Sequence, residues 1–249
     1  MRSTNVRKLY LLIRPKKGVA TEGRLQSLLQ SSVFDTIKKT DSSLLDKVEA
    51  VNGDITEEHL GIDDESRRLL IENVNIVFHS AATVRFDEEL KKSVAMNIEA
   101  VASIIDLAKQ MKHLVSIIDV STAYCNCDLK KIDEKIYDAP VNPKAIIDLC
   151  KILDADKLNQ PEVTGAIIGN KPNTYTFTKA LAENVLQTEG KKLPLAILRP
   201  SIVSATWRDP VPGWVDNFNA ATGVLAGAGK GILRTAYIKY VKILIEIFS

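Results

Sequence analysis

The chain has 249 residues, 45% apolar and 26% charged, enough to bury one sizeable core in one large or two small domains. Lys and Arg number 33 against 31 Asp and Glu, a net charge of +2 that gives no footing for nucleic acid, and the lysine pairs at 16–17, 130–131 and 191–192 read as solvated surface. Three cysteines are too few for a disulfide framework, and Cys125 and Cys127 have no nearby His or second pair to complete a zinc site, so a reducing compartment suits the composition.

In chain order, residues 1–9 are polar, and the apolar run behind them is too short for a signal peptide. Residues 8–14 (KLYLLIR) read as a strand, 21–31 and 32–39 as helix, and 47–55 as a second strand. Residues 64–73 are helical, and 75–82 (NIVFHSAA) form a third strand with its exit turn. A long 3.6-residue period runs over 87–111 through Leu90, Val94, Ile98, Val101, Ile104, Ile105 and Ala108. Residues 114–122 (LVSIIDVST) are a strand, 175–189 a helix and 193–203 a further strand. This βαβ rhythm predicts an α/β fold, a doubly wound parallel sheet covered by helices, with ligands at the carboxyl ends of its strands. Residues 128–172 interrupt the rhythm with Pro140, Pro143, Pro161 and Pro172 and a helix candidate at 143–154. They read as an insertion beside the substrate entrance or as an ordinary surface excursion. No run of 18 apolar residues predicts a transmembrane helix. The end, Tyr237 to Phe248 (YIKYVKILIEIF), reads as an amphipathic helix or a buried terminal segment, and a membrane-surface role is open to it.

Tyr175 and Lys179 stand at i and i+4, on one face of a helix one turn apart. A tyrosine of pKa about 10 is a weak acid at neutral pH, and a neighbouring ammonium draws that value down. The tyrosine can then give a proton to a carbonyl oxygen while hydride adds to the carbon. The lysine can also reach the ribose of a nicotinamide cofactor. Y-x-x-x-K alone is a weak signal. Its context is Ser121 and Thr122 at the carboxyl end of the strand 114–120, where a hydroxyl can hold a substrate oxygen or simply cap a loop. His79-Ser80-Ala81-Ala82 follows a strand with residues small enough for a dinucleotide to approach, and Gly53-Asp54-Ile55 ends the strand before it. Asn97, in the long helix, can satisfy backbone groups near these segments.

The strings VSTAYCN (120–126), PNTYTFTKALAENVLQTEGKKLPLAILRPSIV (172–203), PGWVDNF (212–218) and GKGILRT (229–235) resemble the fatty acyl-CoA reductases, as do LLIRPKKG (11–18) and FHSAATVRFDE (78–88). The blocks recur in order over residues 8–235, as a partial NADP-binding reductase domain followed by a divergent tail, 236–249. The resemblance implies a Rossmann-like extended short-chain reductase that uses NADPH to reduce a fatty acyl-CoA through an aldehyde to a primary alcohol. Members of the family sit at peroxisomal or endoplasmic reticulum membranes, whereas this chain alone reads as soluble and intracellular. Carried over by position, Tyr175 is the proton donor and Lys179 its partner and ribose contact. Thr122 is the catalytic hydroxyl, or Ser121 if the register differs by one. Arg14 meets the 2′-phosphate, where a guanidinium suits a bidentate pair. Asp54, Ile55, Ala81 and Ala82 line the adenosine half, and Pro200, Ser201 and Ile202 lie near the nicotinamide. A rival scheme has the Cys125 thiol attack the thioester, with no histidine near in sequence to activate it.

Two features depart from the family. Its opening strand and glycine-rich turn, which binds the pyrophosphate, have no counterpart ahead of residue 8, and the first strand here matches the family's second. GAGKG (227–231) is no substitute and no Walker loop, and reads as a substrate-side loop. After GILRT the tail does not resemble the family's continuation. The sequence therefore predicts weak NADPH binding and low stability for this chain as written. Two other readings stay open: an extended reductase acting on nucleotide sugars, and a non-enzymatic remnant that binds lipid or a partner.

Overall fold

The computed structural model describes residues 4–235, so the apolar tail singled out above lies outside the described residues. The chain divides into two compact units, residues 1–51 with 201–249, and residues 52–200.

In the first unit, β1 (Leu9–Ile13) and β2 (Val48–Asn52) share a two-stranded sheet. Helix α1 (Thr21–Leu29) buries Leu25 and Leu29, with its Thr21 hydroxyl donating to the Ile13 carbonyl at 3.2 Å. A 3₁₀ turn and α2 (Asp35–Thr40) follow. The Thr36 hydroxyl donates to the Pro210 carbonyl at 3.3 Å, tying the first segment of this unit to the second.

In the second unit, β3 (Ile76–His79), β4 (Ser116–Val120) and β5 (Leu195–Leu198) form a parallel sheet in that order. The strands are shorter than their apolar runs suggest. β5 is bracketed by Pro194 and Pro200, which cannot donate to a ladder. The register aligns His79 with Asp119 and Asp119 with Ile197, all on the face that carries Ile117 and Leu195. That face packs against helices α4 (Leu90–Val94), α5 (Ala100–Ala108), α6 (Pro143–Ile152) and α9 (Thr174–Glu189). Leu90, Val94, Ile98, Val101 and Ile105 from the long helical pattern meet Phe177, Leu181, Val185 and Leu186 of α9 in one buried core. The opposite face shows Ile76, Phe78 and Leu198 at 51%, 72% and 53% exposure. Helix α3 (Asp64–Asn73), capped by the Asp63 carboxylate accepting from the Ser66 N–H, leads into β3.

The α/β reading holds, and the described strands form two sheets. The stretch 128–172, read above as an insertion, carries helices of its own. It continues beyond α6 into α7 (Ala155–Leu158) and α8 (Pro161–Ile168), and Ile146, Cys150 and Leu158 are part of the unit's core. The GAGKG string is not wholly a loop: Gly227 and Gly229 lie in α10 (Ala220–Gly229), and Gly231 follows with φ +69°.

Candidate active site

Helix α9 starts where Asn173, in extended conformation, accepts the Thr176 N–H at 2.9 Å, an N-cap of the usual kind. Tyr175 therefore stands in the first turn and Lys179 one turn on. The Lys179 ammonium donates to the Val120 carbonyl at 2.8 Å, placing α9 against the carboxyl end of β4. Immediately beyond, Ser121 and Thr122 turn away from the strand, Ser121 still donating its N–H to the Leu198 carbonyl at 2.8 Å and Ala123 to the Pro200 carbonyl at 3.0 Å. The Thr122 hydroxyl oxygen accepts the Tyr124 N–H at 3.2 Å, and its side chain bears on the Tyr175 phenol. The Phe86 ring lies 5.7 Å from the Tyr175 ring.

The electrostatics differ from expectation. Burial raises the Tyr175 phenol above its ordinary value, only partly offset by the Thr122 hydrogen bond, so Tyr175 holds its proton firmly at neutral pH. Burial lowers the Lys179 ammonium, opposed by Asp119, Glu183 and Cys125. The lysine side chain is engaged with the strand carbonyl and does not draw the tyrosine down.

Below Lys179 lies a buried pair that sequence reasoning passed over. Asp119 is 1% exposed and its Oδ1 has no hydrogen-bond partner. Burial first, and then Glu183, push its carboxyl up to about 6 against the pull of Lys179. His79 approaches to 3.9 Å, yet burial and Lys179 hold the imidazole down to about 4, so at neutral pH it is uncharged and the approach is not an ion pair.

The remaining predicted positions fall as follows. Asn97 is in a π-helical turn, Ala95–Glu99, between α4 and α5. Its amide accepts the Thr83 N–H at 3.0 Å and donates to the Thr83 carbonyl at 3.3 Å and the Thr178 hydroxyl at 3.0 Å. It thus fixes the segment beyond β3 on which Ala81 and Ala82 lie, a common use of such bulges. Asp54 is turned to local work: its carboxylate accepts the Thr56 N–H at 3.0 Å and hydroxyl at 2.8 Å, with half-buried Ile55 between. Pro200 sits at the β5 exit of the same unit. Arg14 and Ile202 belong to the other unit, both exposed, Arg14 just past β1 with its carbonyl accepting from Arg24 at 2.6 Å.

Sequence reasoning also missed the groups that hold the segment after β4. The buried Glu183 carboxylate accepts from Ser121, Cys125 and Arg199. The Lys171 ammonium donates to the Cys125 carbonyl at 2.8 Å, Asn126 Oδ1 at 3.1 Å and Asp128 at 2.6 Å. A signal for Glu183 was present, since it continues the i+4 column of Tyr175 and Lys179. Cys125 is 0% exposed, and burial with Glu183 pushes its thiol up to about 12, which removes the basis for a thiolate nucleophile.

The family profile described as male sterility protein, of NAD-binding type, matches residues 1–244. Fatty acyl-CoA reductase 1 of Mus musculus is 45% identical over 230 residues, 92% of this chain and 44% of that protein. Fatty acyl-CoA reductase 2 of Bos taurus is 43% identical over 94% of this chain and 45% of that protein. The chain thus spans less than half the length of these relatives. Among solved structures, the terminal reductase domain of the myxalamid PKS-NRPS pathway superposes with a TM-score of 0.65 at 20% identity, covering 98% of this chain and 52% of that one. A thiolation-reductase di-domain from an archaeal non-ribosomal peptide synthetase is also similar, with a TM-score of 0.57 at 20% identity over 92% of this chain and 53% of that one. These likenesses show a shared α/β fold, and with the profile matched along nearly its whole length, the chain belongs to the family described as male sterility protein, of NAD-binding type.

Proposed function

We propose that the protein reduces a fatty acyl-CoA to a long-chain primary alcohol through an aldehyde, with NADPH as reductant. The observation that carries this reading is the meeting of Tyr175 and Lys179, on one face of α9, with Thr122 at the carboxyl end of β4. The relatives named fatty acyl-CoA reductases support the substrate class. The chain's residues fit a nicotinamide cofactor. An ammonium has three donors, so Lys179 can hold the Val120 carbonyl and still meet ribose hydroxyls. Arg14 offers a cation suited to a 2′-phosphate. Asp54, Ile55, Ala81 and Ala82 would border the adenosine, and Pro200 the nicotinamide.

NADPH supplies hydride when bound. Thr122 and Tyr175 hold the thioester oxygen and stabilise the negative charge that develops on it as hydride adds to the carbonyl carbon. Collapse of the tetrahedral adduct breaks the C–S bond and releases coenzyme A, whose sulfur takes up a proton, leaving the aldehyde. In the second reduction Tyr175 gives its proton to the aldehyde oxygen, the Thr122 side chain bears on the resulting tyrosinate, and solvent returns the proton. Two hydrides and two protons account for the alcohol and free thiol.

No described strand-to-helix connection carries a repeated-glycine turn of the kind that seats a pyrophosphate; that from β1 to α1 holds the single Gly18. NADPH affinity is therefore measured by fluorescence titration of the protein and of the same chain with a family-type strand and glycine-rich turn added ahead of it. Tighter binding with the added turn, together with acyl-CoA-dependent NADPH oxidation, supports the reading. Absence of NADPH binding in both would refute it.

A further inference from the structure

Helix α9 carries a third functional group in the column of Tyr175 and Lys179. Glu183 is one further turn along, and its side chain is 2% exposed. Its Oε1 accepts from Ser121 Oγ at 2.6 Å, from Arg199 Nε at 2.8 Å and from Cys125 Sγ at 3.3 Å, while Oε2 accepts from Arg199 Nη2 at 2.6 Å. Arg199, just past β5, also donates to the carbonyls of Lys135 at 2.7 Å and Asp133 at 3.3 Å. One carboxylate thereby joins α9, the exit of β4, the exit of β5 and the loop that follows Ser121. A buried ion pair is a poor device for stability alone, because apolar packing of the same volume serves as well or better.

We propose that Glu183 is a positioning residue for the site: it binds the Ser121 hydroxyl and so fixes the turn in which Thr122, and not Ser121, faces Tyr175. The catalytic consequence rests on the reductase reading above. Ser121 is 3% exposed and its single hydroxyl proton is directed to Glu183, so it has none to offer a substrate oxygen. Glu183 also keeps the Cys125 thiol protonated and, with Asp119 of β4, counters the lowering of Lys179 by burial. The charged or titratable groups that bear on it are Lys179 on its own helix, Arg199 past β5, and Asp119 and Cys125 on and after β4.

The test substitutes Glu183→Gln, which keeps the shape and removes the charge, and reads two independent quantities. The first needs no cofactor: alkylation of Cys125 at mildly alkaline pH, followed by mass spectrometry, with exposed Cys127 as internal reference. Cys125 is expected to label at least about tenfold faster in the variant, since the thiol loses the anion beside it and the turn loosens. The second is kinetic: kcat falls about tenfold to a hundredfold with KM for NADPH and acyl-CoA within about twofold. The alkaline limb of the pH–rate profile moves to lower pH as Lys179 loses a stabilising charge.

Unchanged Cys125 protection in a natively folded variant would overturn the proposal. Faster labelling with unaltered kcat and pH profile would overturn it too, leaving Glu183 a structural residue. The kinetic quantity is read in the protein carrying the added glycine-rich turn; if that protein, unsubstituted, shows no reductase activity, the reductase reading fails separately, and labelling alone decides whether Glu183 fixes the turn. If Glu183→Gln does not fold, Arg199→Lys, which keeps the cation but loses the forked contact, is read by the same two quantities, with a smaller change in the same direction supporting the proposal and none overturning it.

Discussion

Replacing Lys171 by Met tests the segment that follows β4. Lys171 is 7% exposed, and its ammonium bonds the Cys125 carbonyl, Asn126 Oδ1 and the Asp128 carboxylate at 2.8, 3.1 and 2.6 Å. Methionine keeps the stem and removes all three donors. Breaking a buried ion pair by removing one member destabilises by about 3–5 kcal/mol, because the partner is left uncompensated. Here Asp128 is 29% exposed and can rehydrate in part, whereas Asn126, at 5% exposure, and the Cys125 carbonyl have less access to water. The expected loss is therefore about 2–4 kcal/mol. With a urea dependence of about 2 kcal/mol per molar, the midpoint measured by far-ultraviolet circular dichroism drops by about 1–2 M at pH 7. The pH dependence has a definite sign. Burial acts to raise the Asp128 carboxyl, but the Lys171 hydrogen bond and charge outweigh it and the net shift is downward. The stabilisation is thus present above the unfolded carboxylate value near pH 4 and fades as pH falls below it, so wild type and variant converge in acid. A Lys171→Met protein within about 0.5 kcal/mol of wild type at pH 7 would refute the network.

Other outcomes follow from the same geometry. Leu181, 0% exposed in the helical core, costs about 2–5 kcal/mol when cut to Ala, read by the same urea titration, because a cavity forms among close-packed neighbours. His79 and Asp119 act oppositely in acid. An imidazole lowered to about 4 loses stability as pH falls from about 6.5 to 4, whereas a carboxyl raised to about 6 loses stability as pH rises from about 4 to 6. Their effects offset in the wild type, so Asp119→Asn exposes the acid loss of His79, about 3 kcal/mol between pH 6.5 and 4, in a denaturation series across pH. A variant as flat as wild type would mean that His79 titrates normally. Thr122→Val keeps shape but removes the hydroxyl beside Tyr175, and lowers kcat by about 10²–10³-fold with substrate affinity little changed.

Much of the fold was legible because strands and helices announce themselves through periodicity. The long pattern 87–111 became α4, a π-turn and α5, with Leu90, Val94, Ile98, Val101 and Ile105 all in the core as its spacing required. The α9 face was legible too, since i and i+4 positions share a face whatever surrounds the helix. Helices α7 and α8 were not, because four and eight residues between prolines give too short a window for a period. The buried polar groups were also hidden. Asp119 reads as one charge in an apolar strand run, and Glu183 and Arg199 are 16 residues apart with nothing local to pair them. The downward shift expected for Tyr175 failed because adjacency on a helix does not set the balance between burial and charge. Here burial dominates, and Lys179 turns to the Val120 carbonyl.

The most direct test of the reductase reading is product analysis after incubating the protein, carrying a glycine-rich turn, with a long-chain acyl-CoA and NADPH, beside its Tyr175→Phe variant. The site described here predicts fatty alcohol and free coenzyme A from the first, with two NADPH consumed per alcohol, and a rate lower by about 10²–10⁴-fold from the second. Equal alcohol formation by both, or none by either when NADPH is bound, would contradict the assignment of Tyr175 and its neighbours as the catalytic centre.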